Sequence, residues 1–334
     1  MPVTVRSFAK INLGLAIGPP RPDGYHELRT VYQTVALHDV LRLEVARGSG
    51  ITIRSKDPRV PTDRTNTCYR ILELGRDLLK VKGNVVLEIE KHLPVQGGLG
   101  GASGNAVAAL LALERAAKKQ LPGPERLRIA AAVGSDLPLF LVGGTSLGVS
   151  HGEEVYPLAD LPAVTCVIAT PEIGVSTPKA FADWDARMAA AEGGKAEKLT
   201  GSAASDRIEE FGRRLSVWLN GVPTKKAERP SSGVPAKGRG RAETQLLDLV
   251  RTGIANDFEE VVFPQHPELR DVKRVLEQSG AMYASLSGSG SAVYGLFRSR
   301  QEAEQAARRL VKTGIPAQAT TTLTRAAYWK QVLG

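Results

Sequence analysis

A glycine-rich loop stands between a strand-like segment and a strongly helical one. Residues 97–104 read GGLGGASG and hold glycine at five of eight positions. Glycine lets the backbone take positive φ and approach a ligand closely, and a helix that starts after such a loop offers free N–H groups and a positive dipole end. The pattern predicts a site for an anion such as a phosphate.

This loop matches neither of two common nucleotide-binding motifs. It lacks the Gly-Lys-Ser/Thr of a Walker A loop, and the third glycine of a dinucleotide fingerprint would fall on Ser103. Ser103 and Asn105 carry oxygens that could hold a phosphate-bound Mg²⁺ or cap the helix, and the residue types leave both interpretations open. A tight strand-to-helix turn is the alternative for the loop itself, although five glycines exceed what a turn needs.

Other residues able to do chemistry are scattered along the chain. Asp136 follows Gly-Ser at a predicted helix start, where an N-cap is the local interpretation. Lys10 lies in a predicted strand, and a solvated lysine is its ordinary role. Tyr25 and His26 follow an Asp-Gly turn that could project both rings. A second glycine loop, SGSGSA at 287–292, precedes a predicted strand, and a tight turn between strands is its local interpretation.

The elements that must position these residues follow from periodicity. Alternation of apolar residues predicts strands, and apolar spacing of three to four predicts helices. The predicted strands are 3–15, 39–46, 51–55, 84–90, 163–170, 282–286, 293–297 and 317–323. The predicted helices are 67–80, 105–119, 123–133, 267–279 and 300–312. The β-loop-β-α-β ending predicts an α+β sandwich with an antiparallel sheet.

Length and composition set the class of protein. A chain of 334 residues predicts about two domains, and 42% hydrophobic with 24% charged residues is ordinary for a globular protein. Cys68 and Cys166 show no metal-ligand spacing and are expected to be buried thiols. The N-terminal segment carries Arg6 and Lys10 among its apolar residues, unlike a signal peptide, and no apolar run could span a membrane. A cytoplasmic location is therefore expected.

Charge is concentrated in one segment. The chain carries a formal net charge of +9, of which residues 213–241 contribute +7. The region from about 189 to 242 is Ala/Gly-rich and then Pro/Gly/Lys/Arg-rich, which predicts a partly helical insert with a flexible basic loop. With few aromatics and no zinc spacing, solvated charge is a better interpretation than a nucleic-acid site. Neither nucleic acid nor membrane is expected as a partner.

The motifs together resemble the GHMP kinases. Their hallmark Pro-x-x-x-Gly-Leu-Gly-x-x-Ser is met from Pro94 to Ser103. Within that superfamily the chain is similar to the kinases that act on a cytidine diphosphate derivative of methylerythritol in the non-mevalonate isoprenoid pathway. The matching segments are SFAKINL (7–13), RPDGYHEL (21–28), GSDLPLF (134–140), NDFE (256–259) and SGSG (287–290). The resemblance spans nearly the whole chain.

That resemblance implies a fold and a reaction. The fold is a two-domain GHMP kinase, with an ATP-binding α/β domain at 1–158, a ferredoxin-like α+β sandwich at 159–334, and the active site in the cleft between them. The reaction is ATP-dependent phosphorylation of the 2-hydroxyl of the small-molecule substrate, with Mg²⁺ carried by ATP. No protein side chain is assigned as a metal ligand.

The resemblance also implies roles for particular residues. Asp136 is the expected base and Lys10 its partner, which displaces the local interpretations given above. The expected ATP-binding residues are Pro94, Gly97, Gly98, Leu99, Gly100, Gly101, Ala102, Ser103 and Asn105. The expected substrate-binding residues are Asn12, Tyr25, His26, Thr177, Phe181, Gly288 and Gly290, with the cytosine stacked between Tyr25 and Phe181.

The sequence departs from the family pattern at two loop positions. Ala102 stands where a third glycine is usual, and Gly104 stands where a second serine is usual. The alternatives are another GHMP kinase, of homoserine or mevalonate type, or a non-catalytic ligand sensor on the same fold. The segment around Tyr25 argues against the first, because those substrates have no base to stack. The presence of both Lys10 and Asp136 argues against the second.

Overall fold

The structure is a computed structural model that describes residues 2–95, 97–191, 203–219 and 253–332. Of the predicted insert at 189–242, the described part is the end of one helix and a second helix at 203–219. The remaining basic residues, from Lys225 to Arg241, lie outside the described residues. The domain boundary predicted between 158 and 159 stays a prediction.

A long antiparallel hairpin organises the first sheet. β1 (Val3–Pro20) pairs with β2 (His26–Ala46) along its whole length. The sequence pattern predicted only 3–15 and 39–46, because most residues between 5 and 18 are buried on both faces and so do not alternate. The sheet is completed by β3 (Gly50–Ser55), β4 (Asn84–Glu90), β5 (Thr145–Val149) and β6 (Glu154–Pro157), in the order β3-β4-β2-β5-β6.

Helices cover one face of this sheet. They are α1 (Thr67–Leu79), α2 (Gly101–Ala117), α3 (Gly123–Val133) and the short α4 (Leu137–Val142). Asn66 caps α1 by accepting from the Cys68 N–H at 2.8 Å. Nearly every residue of α2 from Gly104 onward is buried, as expected of a helix that is apolar all round.

α2 begins four residues earlier than the sequence predicted. Its first turn is Gly101–Gly104, which belongs to the glycine-rich segment. A Cβ on Gly104 would lie 2.9 Å from Ser7 Oγ and 3.0 Å from the Phe8 carbonyl oxygen. Close packing of this turn on β1 outweighs the low helix propensity of glycine, and a serine at position 104 would require the Ser7 side chain or the turn itself to shift.

A second, antiparallel sheet follows. It contains β7 (Thr165–Ala169), β8 (Tyr283–Leu286), β9 (Val293–Phe297) and β10 (Ala317–Thr321), in the order β10-β7-β9-β8. The helices of this half are α5 (Thr177–Ala191), α6 (Ala203–Leu219), α7 (Glu259–Gln265), α8 (Pro267–Gln278), α9 (Arg300–Lys312) and α10 (Arg325–Val332). The β8-loop-β9-α9-β10 order is the predicted α+β ending.

One apolar cluster joins the two sheets. It combines β1 and β2 residues such as Ile11 and Val35 with Ile168 of β7 and Leu296 of β9, all 0–1% exposed. Backbone bonds cross the same junction, from Leu15 N–H to the Ala255 carbonyl at 2.9 Å and from Leu323 N–H to the Thr34 carbonyl at 2.8 Å. The two halves are therefore held in a fixed relation around the middle of β1.

Candidate active site

The two predicted catalytic side chains form an ion pair. Lys10 Nζ lies 3.5 Å from Asp136 Oδ2, and the two side chains are 4% and 35% exposed. β1 carries Lys10 into the interior, whereas Asp136 stands directly before α4 with its carboxylate partly open to solvent. A buried ammonium thus faces a carboxylate that solvent can reach.

Asp136 occupies the N-cap position of α4 without capping it. Its side chain accepts no hydrogen bond from that helix. Instead, Tyr32 of β2 donates its hydroxyl to Asp136 Oδ1 at 3.1 Å. Burial, and then the charge of Asp136, raises the pKa of Tyr32 well above its ordinary value, so the phenol remains a donor at neutral pH. The capping alternative has no support in this geometry.

A directed chain of hydrogen bonds orients Lys10. Lys10 Nζ donates to Asn12 Oδ1 at 2.8 Å, Asn12 Nδ2 donates to Thr30 Oγ1 at 2.7 Å, and Thr30 donates to the Gly14 carbonyl at 2.8 Å. An ammonium can only donate, so Asn12 must present its oxygen to Lys10 and its amide nitrogen to Thr30. The three side chains are 1–3% exposed, which leaves each of them one favourable arrangement.

The first glycine loop lies directly beside this pair. Gly98 and Gly100 have φ of +72° and +68°, a conformation that favours glycine. The Leu99 carbonyl accepts from the Lys10 N–H at 3.0 Å, and a Cβ on Gly100 would lie 3.0 Å from Lys10 Cγ. The N-terminus of α2, with Ala102 and the partly buried Ser103 in its first turn, follows at once.

The second glycine loop packs against the first. The Ala292 N–H donates to the Gly97 carbonyl at 3.0 Å, and Ser287 Oγ donates to the Gly98 carbonyl at 3.0 Å. A Cβ on Gly288 would lie 3.5 Å from both Lys10 Nζ and Asn12 Oδ1. The structure thus brings two loops that are far apart in the chain to the same ion pair.

Asn256 holds the second loop in place. It is 2% exposed, and its Nδ2 donates to the Leu286 carbonyl at 2.9 Å and the Gly288 carbonyl at 2.8 Å. Its oxygen accepts from the Phe258 N–H at 3.1 Å. The sequence contained the residue in a matched motif, but no local signal indicated what it would hold.

The predicted base-binding side chains are only partly brought together. His26 stacks on Phe181 with ring centroids 4.9 Å apart and planes 12° apart, and His26 Nε2 lies 2.8 Å from Asp185 Oδ1. Tyr25, 56% exposed, stacks instead on His151 at 4.6 Å and 24°. Tyr25 and Phe181 thus each stack on an imidazole ring, and the stacking of a base between them stays a prediction.

Thr177 joins this region to the second glycine loop. Its Oγ1 lies 2.7 Å from Ser289 Oγ, between the two positive-φ residues Gly288 and Gly290. Thr177 and Phe181 both stand in the first turns of α5. One helix therefore connects the ring region to the loop beside Lys10.

Several residues around the site had no signal in the sequence. Tyr32, Asp39, His151 and Asp185 each contact a predicted site residue that lies at least 66 positions away in the chain. His151 Nδ1 also lies 2.8 Å from the Oγ of Ser135, the residue before Asp136. Such contacts depend on tertiary packing and not on local pattern.

Two further expectations concern metals and thiols. No three His, Cys, Asp or Glu residues are grouped as metal ligands within the described residues. Cys68 and Cys166 are free and buried, as predicted, and burial raises the pKa of the Cys68 thiol to about 12. None of the helices in the described ranges is both long and apolar enough to cross a bilayer.

Two family models match the chain. Residues 66–144 match "GHMP kinases N terminal domain", and residues 241–316 match "GHMP kinases C terminal". A solved structure, "Crystal structure of 4-(cytidine 5'-diphospho)-2C-methyl-D-erythritol kinase", matches at a TM-score of 0.68 and 28% identity, over 96% of this chain and 99% of that one. A homoserine kinase from Cytophaga hutchinsonii matches at a TM-score of 0.70 and 18% identity, which shows the fold alone. The predicted two-domain GHMP kinase fold is confirmed.

Named relatives identify the family of this chain within the GHMP kinases. The 4-diphosphocytidyl-2-C-methyl-D-erythritol kinase of Solibacter usitatus is 36% identical over 89% of this chain and 81% of its own length. The protein of that name from Acaryochloris marina is 33% identical over 94% and 92%. The chain therefore belongs to the 4-diphosphocytidyl-2-C-methyl-D-erythritol kinase family of the GHMP kinases, and it is an ATP-dependent small-molecule kinase.

Proposed function

We propose that this protein transfers the γ-phosphoryl group of ATP to the 2-hydroxyl of 4-diphosphocytidyl-2-C-methyl-D-erythritol, yielding the 2-phosphate and ADP for isoprenoid precursor synthesis. The observation that carries the proposal is the Lys10–Asp136 pair, 3.5 Å apart, beside two glycine loops. Family membership supplies the substrate class, and the pair supplies the chemistry.

Asp136 acts as the base. In the transfer, the substrate oxygen forms a bond to the γ-phosphorus, the bond from that phosphorus to the β–γ bridging oxygen breaks, and the hydroxyl proton goes to the carboxylate. The Tyr32 hydroxyl on Asp136 Oδ1 leaves Oδ2 as the oxygen nearer to Lys10 and available to the acceptor. The Lys10 ammonium stabilises the negative charge that gathers there.

The first glycine loop and the start of α2 fit a nucleotide phosphate. Positive φ at Gly98 and Gly100 turns the backbone so that N–H groups precede the free N–H groups of the first helical turn. Bound Mg²⁺ would neutralise phosphate charge during transfer. The half-buried Ser103 hydroxyl, in that first turn, is the protein oxygen that would contact the ion, and phosphate oxygens would be its main ligands.

The aromatic rings on the hairpin tip and α5 recognise the cytosine. His26 can present one donor and one acceptor to a pyrimidine edge, and Phe181 offers a flat face. Tyr25, already exposed, can exchange His151 for the base as its stacking partner. Asn12, Thr177, Gly288 and Gly290 then line the path from the base to Lys10.

A coupled ADP-release assay with 4-diphosphocytidyl-2-C-methyl-D-erythritol tests the function. We expect turnover that needs this acceptor, ATP and Mg²⁺, and none with mevalonate or homoserine. Phosphorylation of mevalonate or homoserine without turnover of the cytidine substrate would contradict the proposal. ATP binding without any turnover would favour the ligand sensor.

Substitution of Asp136 by Asn tests the base. We expect kcat to fall about 10²- to 10⁴-fold, the range for loss of a general base, with ADP affinity unchanged by calorimetry. Glu125→Gln is the matched control, because Glu125 is also a partly exposed carboxylate, 29% exposed, paired with a cation. Unchanged turnover in Asp136→Asn would remove Asp136 as base.

A further inference from the structure

A buried carboxylate that the proposed chemistry does not use lies beneath the first glycine loop. Asp39 of β2 is 0% exposed, and its two oxygens receive hydrogen bonds from four donors. Two of these donors are backbone N–H groups and two are side chains. A buried carboxylate held by this many donors is a fixed anchor.

One oxygen of Asp39 accepts hydrogen bonds from two residues that precede the loop. Asp39 Oδ1 accepts from the His92 N–H and the Leu93 N–H, both at 2.7 Å. These two residues stand directly between the end of β4 and Pro94, where the phosphate-binding segment begins. These two hydrogen bonds attach the segment after β4 to β2, and they thereby fix the direction in which the chain leaves β4.

The other oxygen of Asp39 accepts hydrogen bonds from a residue that follows the loop and from a lysine whose ammonium lies at the start of α2. Asp39 Oδ2 accepts from Asn105 Nδ2 at 3.0 Å and from Lys91 Nζ at 2.5 Å. Asn105 is 4% exposed and stands in the second turn of α2, directly after the glycine-rich segment. Lys91 Nζ would lie 3.1 Å from a Cβ on Gly101, so the ammonium that Asp39 pairs sits at the very start of α2.

We propose that Asp39 is a positioning residue for nucleotide binding, which joins the residues on both sides of the glycine-rich segment 97–104 to β2 and so holds the N–H groups of that segment in the phosphate-binding arrangement. The inference rests on the proposed role of that loop. Glycine-rich backbone is costly to order on ligand binding, and a loop anchored at both ends has lost that freedom beforehand. Among the described residues, Asp39 makes no hydrogen bond or ion pair to Lys10 or Asp136, so its direct effect is on the loop that we assign to the nucleotide.

The test is nucleotide affinity in Asp39→Ala and Asp39→Asn. Asp39→Ala removes the acceptor for all four donors, and we expect ADP affinity and the KM for ATP to worsen about tenfold or more, since a hydrogen bond to a charged group corresponds to roughly that factor. Asp39→Asn keeps the oxygen that faces the two backbone N–H groups and should give a smaller loss. The KM for the phosphoryl acceptor should stay within about twofold in both variants.

Glu114→Ala is the matched control. Glu114 is likewise a buried carboxylate, 4% exposed, and it accepts from the Leu121 N–H and from Arg126 Nε at 2.8 Å, but it lies at the far end of α2. We expect it to lower the melting temperature without changing ADP affinity. An equal loss of ADP affinity in Glu114→Ala and Asp39→Ala would reduce the Asp39 effect to general destabilisation and overturn the proposal.

Two outcomes separate this inference from the proposed function. If the unsubstituted protein binds no ADP, the assignment of the loop to nucleotide is wrong. If it binds ADP and Asp39→Ala binds it equally well, the assignment stands and the role of Asp39 is wrong. Should Asp39→Ala fail to fold, Asp39→Asn decides: ADP affinity equal to that of the unsubstituted protein overturns the proposal. A double change, Asp39→Asn with Asn105→Asp, keeps one carboxylate and one amide at the contact between positions 39 and 105 and should recover part of the affinity.

Discussion

At the scale of single residues, the site depends on the Lys10 ammonium, which can donate hydrogen bonds but cannot accept them. Lys10 is buried between Asn12 and Asp136, and each of these partners presents an oxygen to the ammonium. The chain of donors ends on a backbone carbonyl, so no polar group in it lacks a partner. The ammonium is consequently held within reach of Asp136 before any substrate arrives.

Tyr32→Phe tests how far the orientation of Asp136 matters. Removing the hydroxyl takes away one neutral hydrogen bond to the carboxylate, and we expect kcat to fall about 3- to 10-fold, equivalent to roughly 1 kcal/mol, with ADP affinity unchanged. Steady-state kinetics measures this. Tyr328→Phe is the control, because Tyr328 is equally buried and donates to the Phe140 carbonyl at 2.7 Å away from the ion pair. Equal losses of kcat in both variants would contradict a specific role for Tyr32.

At the scale of elements, the two glycine loops pack against each other, and this contact restricts the conformation of both. Gly98 lies against Ser287 and Gly290 of the second loop, and a Cβ there would come within 2.2 Å of the Ser287 carbonyl oxygen. Local sequence shows two flexible loops. Their mutual packing converts them into one surface beside Lys10.

Gly98→Ala should damage both stability and nucleotide binding. The side chain would be strained at φ +72° and would collide with backbone, so we expect a loss of about 1–3 kcal/mol in the free energy of unfolding and weaker ADP binding. Chemical denaturation and calorimetry measure the two effects. Gly123→Ala serves as the control, since a Cβ at that helix-start position meets nothing within 4 Å. A Gly98→Ala protein as stable as Gly123→Ala would show that the two loops do not pack as described.

At the scale of the whole molecule, the two sheets share a core. Ile11 of the first sheet and Tyr294 of the second belong to the same apolar cluster, and the Tyr294 hydroxyl donates to the Asn12 carbonyl at 2.8 Å. The active-site strand β1 thus runs along the junction. Anything that separates the sheets also displaces Lys10.

Thermal unfolding should therefore be a single transition. Although the chain is long enough for two domains, neither sheet can open without exposing the shared cluster. Differential scanning calorimetry measures the number of transitions, and coincident loss of far-UV and near-UV circular dichroism would support one. Two well-separated transitions would contradict the shared core.

The net charge also belongs to this scale. Residues 213–241 account for +7 of the chain's +9. Arg213 and Arg214, which fall within α6, are ion-paired with Glu209 and Glu210 on the same helix. The anion-binding features of the site are local backbone and Lys10, so the overall charge says little about the reaction.

Local pattern alone predicted much of the fold. The bounds of β4, α3, β9 and α9 agree with prediction, because local signals mark the ends of these elements, such as the Ser299–Glu302 capping box of α9. The start of α2 and the full length of β1 and β2 were not predicted. In both cases, burial against distant segments replaces the local signal.

The sequence by itself determined the residue types: a glycine-rich turn before a helix, a carboxylate and an ammonium in matched motifs, and aromatic rings after an Asp-Gly turn. Tertiary structure alone decided that loops about 190 residues apart meet at Lys10, that Asp136 leaves its helix uncapped, that Tyr25 stacks on His151, and that Asp39 lies beneath the phosphate loop. The physical reason is the separation along the chain of the residues that interact. Periodicity and turn chemistry record preferences within one element, whereas these contacts arise from the packing of strands and helices distant in the chain.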